Sequence, residues 1–208
     1  MKTKTKSKTV FVCQECGAQA PRWLGKCPSC DSWNSLVEES ISHGSGASRA
    51  SVAPKEKPVV LTDIAGESEE RIKTYIEEFD RVLGGGVVPG SVVLVGGDPG
   101  IGKSTLSLQA ACSLSSAGQS VLYVSAEESI KQTKMRADRL QAKSNSRLSV
   151  VNEVELNSII EHINSIKPSV VVVDSVQVIY QSELTSSPGS VSQVRECSSV
   201  LTQIAKAT

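Results

Sequence analysis

The residues best placed to do chemistry are Gly97-Asp98-Pro99-Gly100-Ile101-Gly102-Lys103-Ser104, a complete G-x-x-x-x-G-K-[ST] spacing. Glycines let a chain fold tightly round a polyphosphate, so that successive N–H groups and a helix N-terminus point at the anion. Lys103 then reaches the β- and γ-phosphates as a point charge, the Ser104 hydroxyl is placed to ligate Mg²⁺, and Thr105 is a further phosphate contact. The spacing implies a site for ATP or GTP. Two carboxylates extend it. Asp174 follows four valines, Val170–Val173, as the acid that ends a buried parallel strand and holds Mg²⁺. Glu127 follows the apolar run Val121–Ser125 and is the candidate base that orients or deprotonates an attacking water. Its competing reading is an acidic first turn of the next helix, and Glu128 is assigned only that part.

Those residues need a scaffold that brings loop, acid and base together, and the pattern around them supplies one. Val92–Val95 reads as a strand entering the phosphate loop, and Thr105–Leu114 as the helix leaving it. Strands are expected at Val121–Ser125, Arg147–Val151 and Val170–Asp174, alternating with helices at Ser129–Leu140, Val154–Ile166 and from Val191 onward. Upstream, the apolar positions Ile72, Tyr75/Ile76, Phe79 and Leu83 predict a helix over Glu67–Leu83, ended by Gly84-Gly85-Gly86. That triplet is read as a turn, with bordering of the nucleotide as the alternative. The expected class is therefore α/β with a parallel sheet.

A second constellation lies near the N-terminus. Cys13-x-x-Cys16 and Cys27-x-x-Cys30 place four thiolates at the spacing of a tetrahedral, structural Zn²⁺ site. Trp23 and Trp33 are expected to pack a core too small to hold itself together. Two disulfides are the alternative, disfavoured where thiols stay reduced; a redox C-x-x-C lacks its βαβ surroundings. Ser40–Lys57 is rich in Ser, Gly, Ala and Pro and reads as a linker holding His43, which is not needed as a ligand. The organisation expected is a zinc-ribbon module at 1–39 with a basic arm, a linker at 40–58 and the nucleotide domain at 59–208.

Composition sets outer bounds. The chain has 208 residues, 39% of them hydrophobic, and a formal net charge of zero, so no global charge announces nucleic acid. Charge is nevertheless uneven: Lys2, Lys4, Lys6, Lys8, Arg22 and Lys26 stand against Glu15 alone in the first thirty residues, as a solvated tail or a phosphate-contacting arm. No apolar run approaches the length of a membrane span, and a cytoplasmic location is the default.

Taken in order, the four-cysteine motif, EFDRVLGGGVVPGS at Glu78–Ser91, GGDPGIGKST at Gly96–Thr105, YVSAEES at Tyr123–Ser129, VVVVDSVQ at Val170–Gln177 and SVSQVREC at Ser190–Cys197 resemble the bacterial RadA (Sms) family of RecA relatives. The resemblance implies a RecA-like P-loop core and a DNA-dependent, helicase-like ATPase of recombinational repair. Its implied partners are single-stranded or branched DNA and the RecA recombinase, acting as a homo-oligomeric ring that drives branch migration. By position it makes Lys103 and Ser104 the Walker A residues, Asp174 the Walker B acid and Glu127 the catalytic glutamate. Ser186–Arg195 resembles the first DNA-binding loop of RecA-like proteins.

Family members are about twice this length and carry a K-N-R-F-G motif and a Lon-like domain that do not occur in these 208 residues. In RecA-like sheets a further strand separates the Walker B strand from the phosphate-loop strand. The chain is therefore expected to be a truncated form with an incomplete sheet, marginally stable and nearly inactive alone. The other class of function compatible with the motifs is a nucleotide-regulated assembly protein of the KaiC group, acting without DNA.

Overall fold

In a computed structural model, the structure describes residues 8–41, 59–60, 63, 70–140, 147–184 and 186–207. The chain divides into two compact units, Met1–Glu70 and Arg71–Thr208. The expected linker falls almost wholly on residues outside the described ones, as does His43.

The first unit is a small antiparallel sheet. β1 (Lys8–Cys13) lies between β2 (Gln19–Ala20) and β3 (Leu36–Ile41), in the order β2-β1-β3. Pairing of Lys8 with Ile41 and of Thr9 with Ser40 carries the ribbon two residues into the stretch assigned to the linker. Its core is Cys13, Ala20, Cys27 and Leu36, flanked by Phe11, Ala18 and Leu24. The tryptophans do not fill it. Trp23 and Trp33 are 55% and 73% exposed, and their rings converge outside the core, each under 4 Å from where a Gly25 Cβ would sit. With two cysteines already occupying the centre, no room remains there for indoles.

The second unit alternates helices and parallel strands. Its elements are α1 (Glu77–Val82), α2 (Lys103–Ser116), β4 (Val121–Ser125), α3 (Ile130–Arg139), β5 (Leu148–Val151), α4 (Leu156–Ile166), β6 (Val170–Asp174) and α5 (Val191–Ala207). The sheet order is β5-β4-β6, all parallel. β4 is central and every residue in it is buried, which is why it reads as VLYVS rather than as an alternating strand. One face of the sheet carries Val121 and Tyr123 against Leu108, Ala111 and Cys112 of α2 and Ala137 of α3. The other carries Leu122 and Val124 against Leu156, Ile159 and Ile163 of α4 and Cys197 of α5. That is a three-layer α/β arrangement.

Two expected elements differ. The helix over Glu67–Leu83 shrinks to α1, because Arg71–Ile76 is not helical: Ile72 bridges Val87, and Tyr75 sits at φ +60°, outside helical space. The Asp80 carboxylate fixes this bend, accepting from the Thr74 N–H and hydroxyl (2.9 and 2.7 Å) and the Tyr75 N–H (3.0 Å). The second difference is Val92–Val95, which joins no sheet among the described residues. A β-branched run has strand propensity, but a strand exists only against a partner, and Val92, Val93 and Leu94 are exposed here.

Gly84-Gly85-Gly86 is a packed turn. The Arg71 guanidinium donates to the carbonyls of Leu83 (2.9 Å) and Gly86 (3.4 Å) across it. Gly86 is obligatory on two counts: its φ is +137°, and a Cβ there would lie 2.7 Å from the Ile72 carbonyl oxygen.

Candidate functional site

The phosphate loop ends where α2 begins. Gly102, at φ +109°, is the N-cap and has no side chain to offer the first-turn N–H groups, which are left pointing out of the helix with its positive dipole end. Lys103, Ser104 and Thr105 form that first turn. Lys103 folds back over the loop, its Nζ donating to the carbonyls of Gly97 (2.8 Å) and Asp98 (2.9 Å). The loop thus surrounds its own cation, within reach of any anion it cradles.

Strand register brings the acid to this loop. Ser125 of β4 pairs with Asp174 of β6, and Tyr123 with Val172. Residues two apart share a face, so Tyr123, Ser125, Val172 and Asp174 all point to the α2 side. There Ser104 Oγ donates to Asp174 Oδ1 at 3.0 Å, joining residues seventy positions apart. The other oxygen, Oδ2, accepts from the Tyr123 hydroxyl at 2.7 Å. Burial, then the adjacent Asp174, push the Tyr123 phenol far above its ordinary range, so it keeps the proton that it donates to the carboxylate.

Glu127 stands in the bend between β4 and α3, exposed, with its carboxylate accepting from the Ser175 hydroxyl. Since Ser175 follows Asp174, the two acids lie on neighbouring strand ends. The bend itself is held from several sides. Ser125 Oγ donates to the Glu128 carbonyl (2.8 Å), and Asn152 Nδ2 to the carbonyls of Ser125 (2.7 Å) and Glu128 (3.0 Å). Ser129 and Gln132 form a reciprocal capping box. Glu128 pairs with Arg136 of α3, so it serves the bend and not merely the helix dipole.

Sequence reasoning passed over Tyr123, Asn152 and Ser175. Each acts through a partner remote in sequence, and only the sheet register reveals the pairing. The segment Ser186–Arg195 is likewise only half a loop: α5 begins at Val191. Gln193, almost fully buried, ties its base by accepting from the Gln181 N–H (2.9 Å) and donating to the carbonyls of Gln181 (3.2 Å) and Ser186 (3.0 Å).

In the ribbon, the sulfurs of Cys13, Cys16, Cys27 and Cys30 all lie within 4.8 Å of one another. Cys13–Cys30 and Cys16–Cys27 are each 3.6 Å apart. Disulfides need about 2.05 Å, whereas sulfurs about 2.3 Å from a central Zn²⁺ stand a little under 4 Å apart at tetrahedral angles. The geometry is that of a metal site. Burial opposes ionisation of Cys13, but hydrogen bonding with Ser35 and the local backbone brings it down to about 6. A backbone hydrogen bond at Ala18 favours ionisation of Cys16, but desolvation and then the other three thiols outweigh it and push it up to about 12. Four thiols packed this closely do not all ionise without a cation among them.

These two sites fix the class: a zinc-ribbon protein with a RecA- and KaiC-like P-loop ATPase fold. Residues 11–38 match the rubredoxin metal binding domain family, and residues 72–145 match the KaiC ATPase family, a span that includes the phosphate loop and Glu127. Nearly the whole chain is similar to proteins named DNA repair protein RadA. That of Bacillus subtilis (strain 168) is 55% identical over 207 residues, covering 98% of this chain and 44% of the relative. Those of Halalkalibacterium halodurans and Listeria monocytogenes are each 52% identical, over 206 and 204 residues, covering 98% of this chain and 45% and 44% of the relatives. The likeness to RadA proteins runs through both units of the chain. The chain spans a little under half the length of the relatives it matches. None of the described helices is long and apolar enough to cross a membrane.

Proposed function

We propose that this chain carries the nucleotide-hydrolysing core and zinc ribbon of a cytoplasmic DNA-repair ATPase. The observation that carries the reading is the Ser104–Asp174 contact, which joins the phosphate loop to the strand-end acid. Gly97 to Gly102 cradle the phosphates with backbone N–H groups, Lys103 compensates their charge, and Thr105 adds a contact from the first turn. Ser104 and Asp174 supply hard oxygen donors 3.0 Å apart, the separation of neighbouring ligands round an octahedral Mg²⁺ with bonds of about 2.1 Å. Glu127 orients the attacking water, with Ser175 fixing its carboxylate. Cys13, Cys16, Cys27 and Cys30 hold a structural Zn²⁺.

The relatives' name, DNA repair protein, supports a role on DNA; the proposal extends it to hydrolysis coupled to single-stranded or branched DNA, with RecA as partner and a ring that drives branch migration. ATP turnover of a full-length form, measured with and without single-stranded DNA, tests this. Stimulation by DNA, lost in Lys103→Ala, is the expected result; turnover indifferent to DNA would sink the motor reading.

The match to the KaiC family over residues 72–145 favours one other reading, a nucleotide-timed assembly protein without DNA action. A DNA-binding titration against salt separates the two, since phosphate contacts impose a steep negative slope.

A further inference from the structure

We propose that Tyr123 is a positioning residue of the nucleotide site: its hydroxyl holds the Asp174 carboxylate in the rotation that presents Oδ1 to Ser104 and to a Mg²⁺–nucleoside triphosphate. The inference rests on the nucleotide-site reading above and adds a residue to it.

Tyr123 lies on central β4, directly opposite Val172 of β6. Asp174 is two residues further along β6, on the same face and within diagonal reach of a long aromatic side chain. The ring is 1% exposed, packed in the cluster with Leu108, Ala111 and Ala137, so it cannot swing away from the acid. Its oxygen is 2.7 Å from Asp174 Oδ2, and Ser104 Oγ is 3.0 Å from Oδ1. The two carboxylate oxygens are therefore assigned to different tasks. One is tied to the sheet and the other faces the phosphate loop. A phenylalanine would fill the same space against the same neighbours, so packing explains the ring but not the hydroxyl. Without that donor, Oδ2 is a charged oxygen at a strand end with no fixed direction, and the carboxylate turns about its last bond. Groups that orient a metal-binding side chain from behind set the affinity of the site almost as strongly as the ligands themselves.

The test is Tyr123→Phe, read by binding of the fluorescent analogue mant-ATP. Titrating Mg²⁺ from an EDTA-treated start gives the metal concentration for half-maximal response. The expected result is a rise of about tenfold in that concentration, the lower end of what loss of such a partner does. Affinity in EDTA and the melting curve of the nucleotide-free protein should stay within about twofold and a few degrees of the unsubstituted chain. In an Asp174→Asn background the same Tyr123→Phe change should have no further effect on the Mg²⁺ response, because the carboxylate it positions is gone. A Mg²⁺ response shifted less than threefold, or shifted equally in both backgrounds, overturns the role given to Tyr123 while leaving the nucleotide site intact. No binding of mant-ATP by the unsubstituted chain overturns the site itself and the tyrosine's role with it.

Discussion

Asn152 offers the sharpest test of how the bend carrying Glu127 is built. It follows the last residue of β5 and bridges to the end of β4, donating one N–H to the Ser125 carbonyl and the other to that of Glu128. The two bonds are not equal. Ser125 is 3% exposed and its carbonyl lies in a half-buried contact, so losing the donor leaves an acceptor that water reaches poorly. That loss costs about 1 kcal/mol or somewhat more. The contact to Glu128 is exposed, water replaces it, and it contributes only a few tenths of a kcal/mol. Asn152→Ala should therefore destabilise the second unit by about 1.5 kcal/mol, a fall in melting temperature of roughly 4–7 °C for a unit of this size.

Asn152→Asp sharpens the argument, because it keeps the shape and removes both donors. A carboxylate would then face two carbonyl oxygens and stand near Glu127 and Glu128. It should be less stable than the alanine variant at pH 7 and recover below about pH 4, where the new acid is protonated and can donate again. Urea unfolding followed by circular dichroism measures all three proteins. If the aspartate variant is as stable as the natural protein, Asn152 does not latch the bend. The same variants should lower ATP turnover more than mant-ATP binding, since the bend holds Glu127 and not the phosphate loop.

Three further outcomes follow from the geometry. Glu127→Gln should bind mant-ATP as the natural chain does yet lose turnover, and ordinary turnover in that variant would remove Glu127 from the mechanism. Cys27→Ser should release one Zn²⁺ per chain, measured by elemental analysis, and a native protein without metal would overturn the ribbon assignment. Tyr75→Gly should be slightly stabilising, by about 0.5 kcal/mol. It relieves a left-handed strain of 1–2 kcal/mol against a glycine entropy cost of about 0.5–1 kcal/mol, while the Tyr75 ring is mostly exposed and loses little packing. Clear destabilisation in thermal melting would refute that balance.

What the sequence made legible and what it hid divide along a physical line. Phosphate loop, strand-end acid and paired cysteines are local spacings whose chemistry needs fixed residue types, so they could be read directly. Helix α4 was legible because its buried face must be apolar: Leu156, Ile159 and Ile163 are buried as the period requires. Hidden were features that depend on what lies opposite. Tyr123 looked like one more apolar strand residue until the register set it diagonal to Asp174. Trp23 and Trp33 looked like core, but Cys13 and Cys27 occupy its centre.

The helix predicted over Glu67–Leu83 failed for a reason that is local yet not periodic. Its apolar positions recur at helical spacing, but the Asp80 carboxylate accepts from the Thr74 and Tyr75 N–H groups and from the Thr74 hydroxyl, and a helix could not satisfy those two N–H groups the same way. Partial burial opposes ionisation of Asp80, but these bonds and the charge of Lys73 outweigh it and hold its pKa below the ordinary value. The sign follows. A carboxyl depressed in the folded state adds stability at pH values above its unfolded pKa of about 3.9, and that stability drains away as pH falls through the lower folded value. Residues 71–76 should therefore loosen in acid before α2 to α5 do, because the hydrogen bonds to the Asp80 carboxylate come from Thr74 and Tyr75.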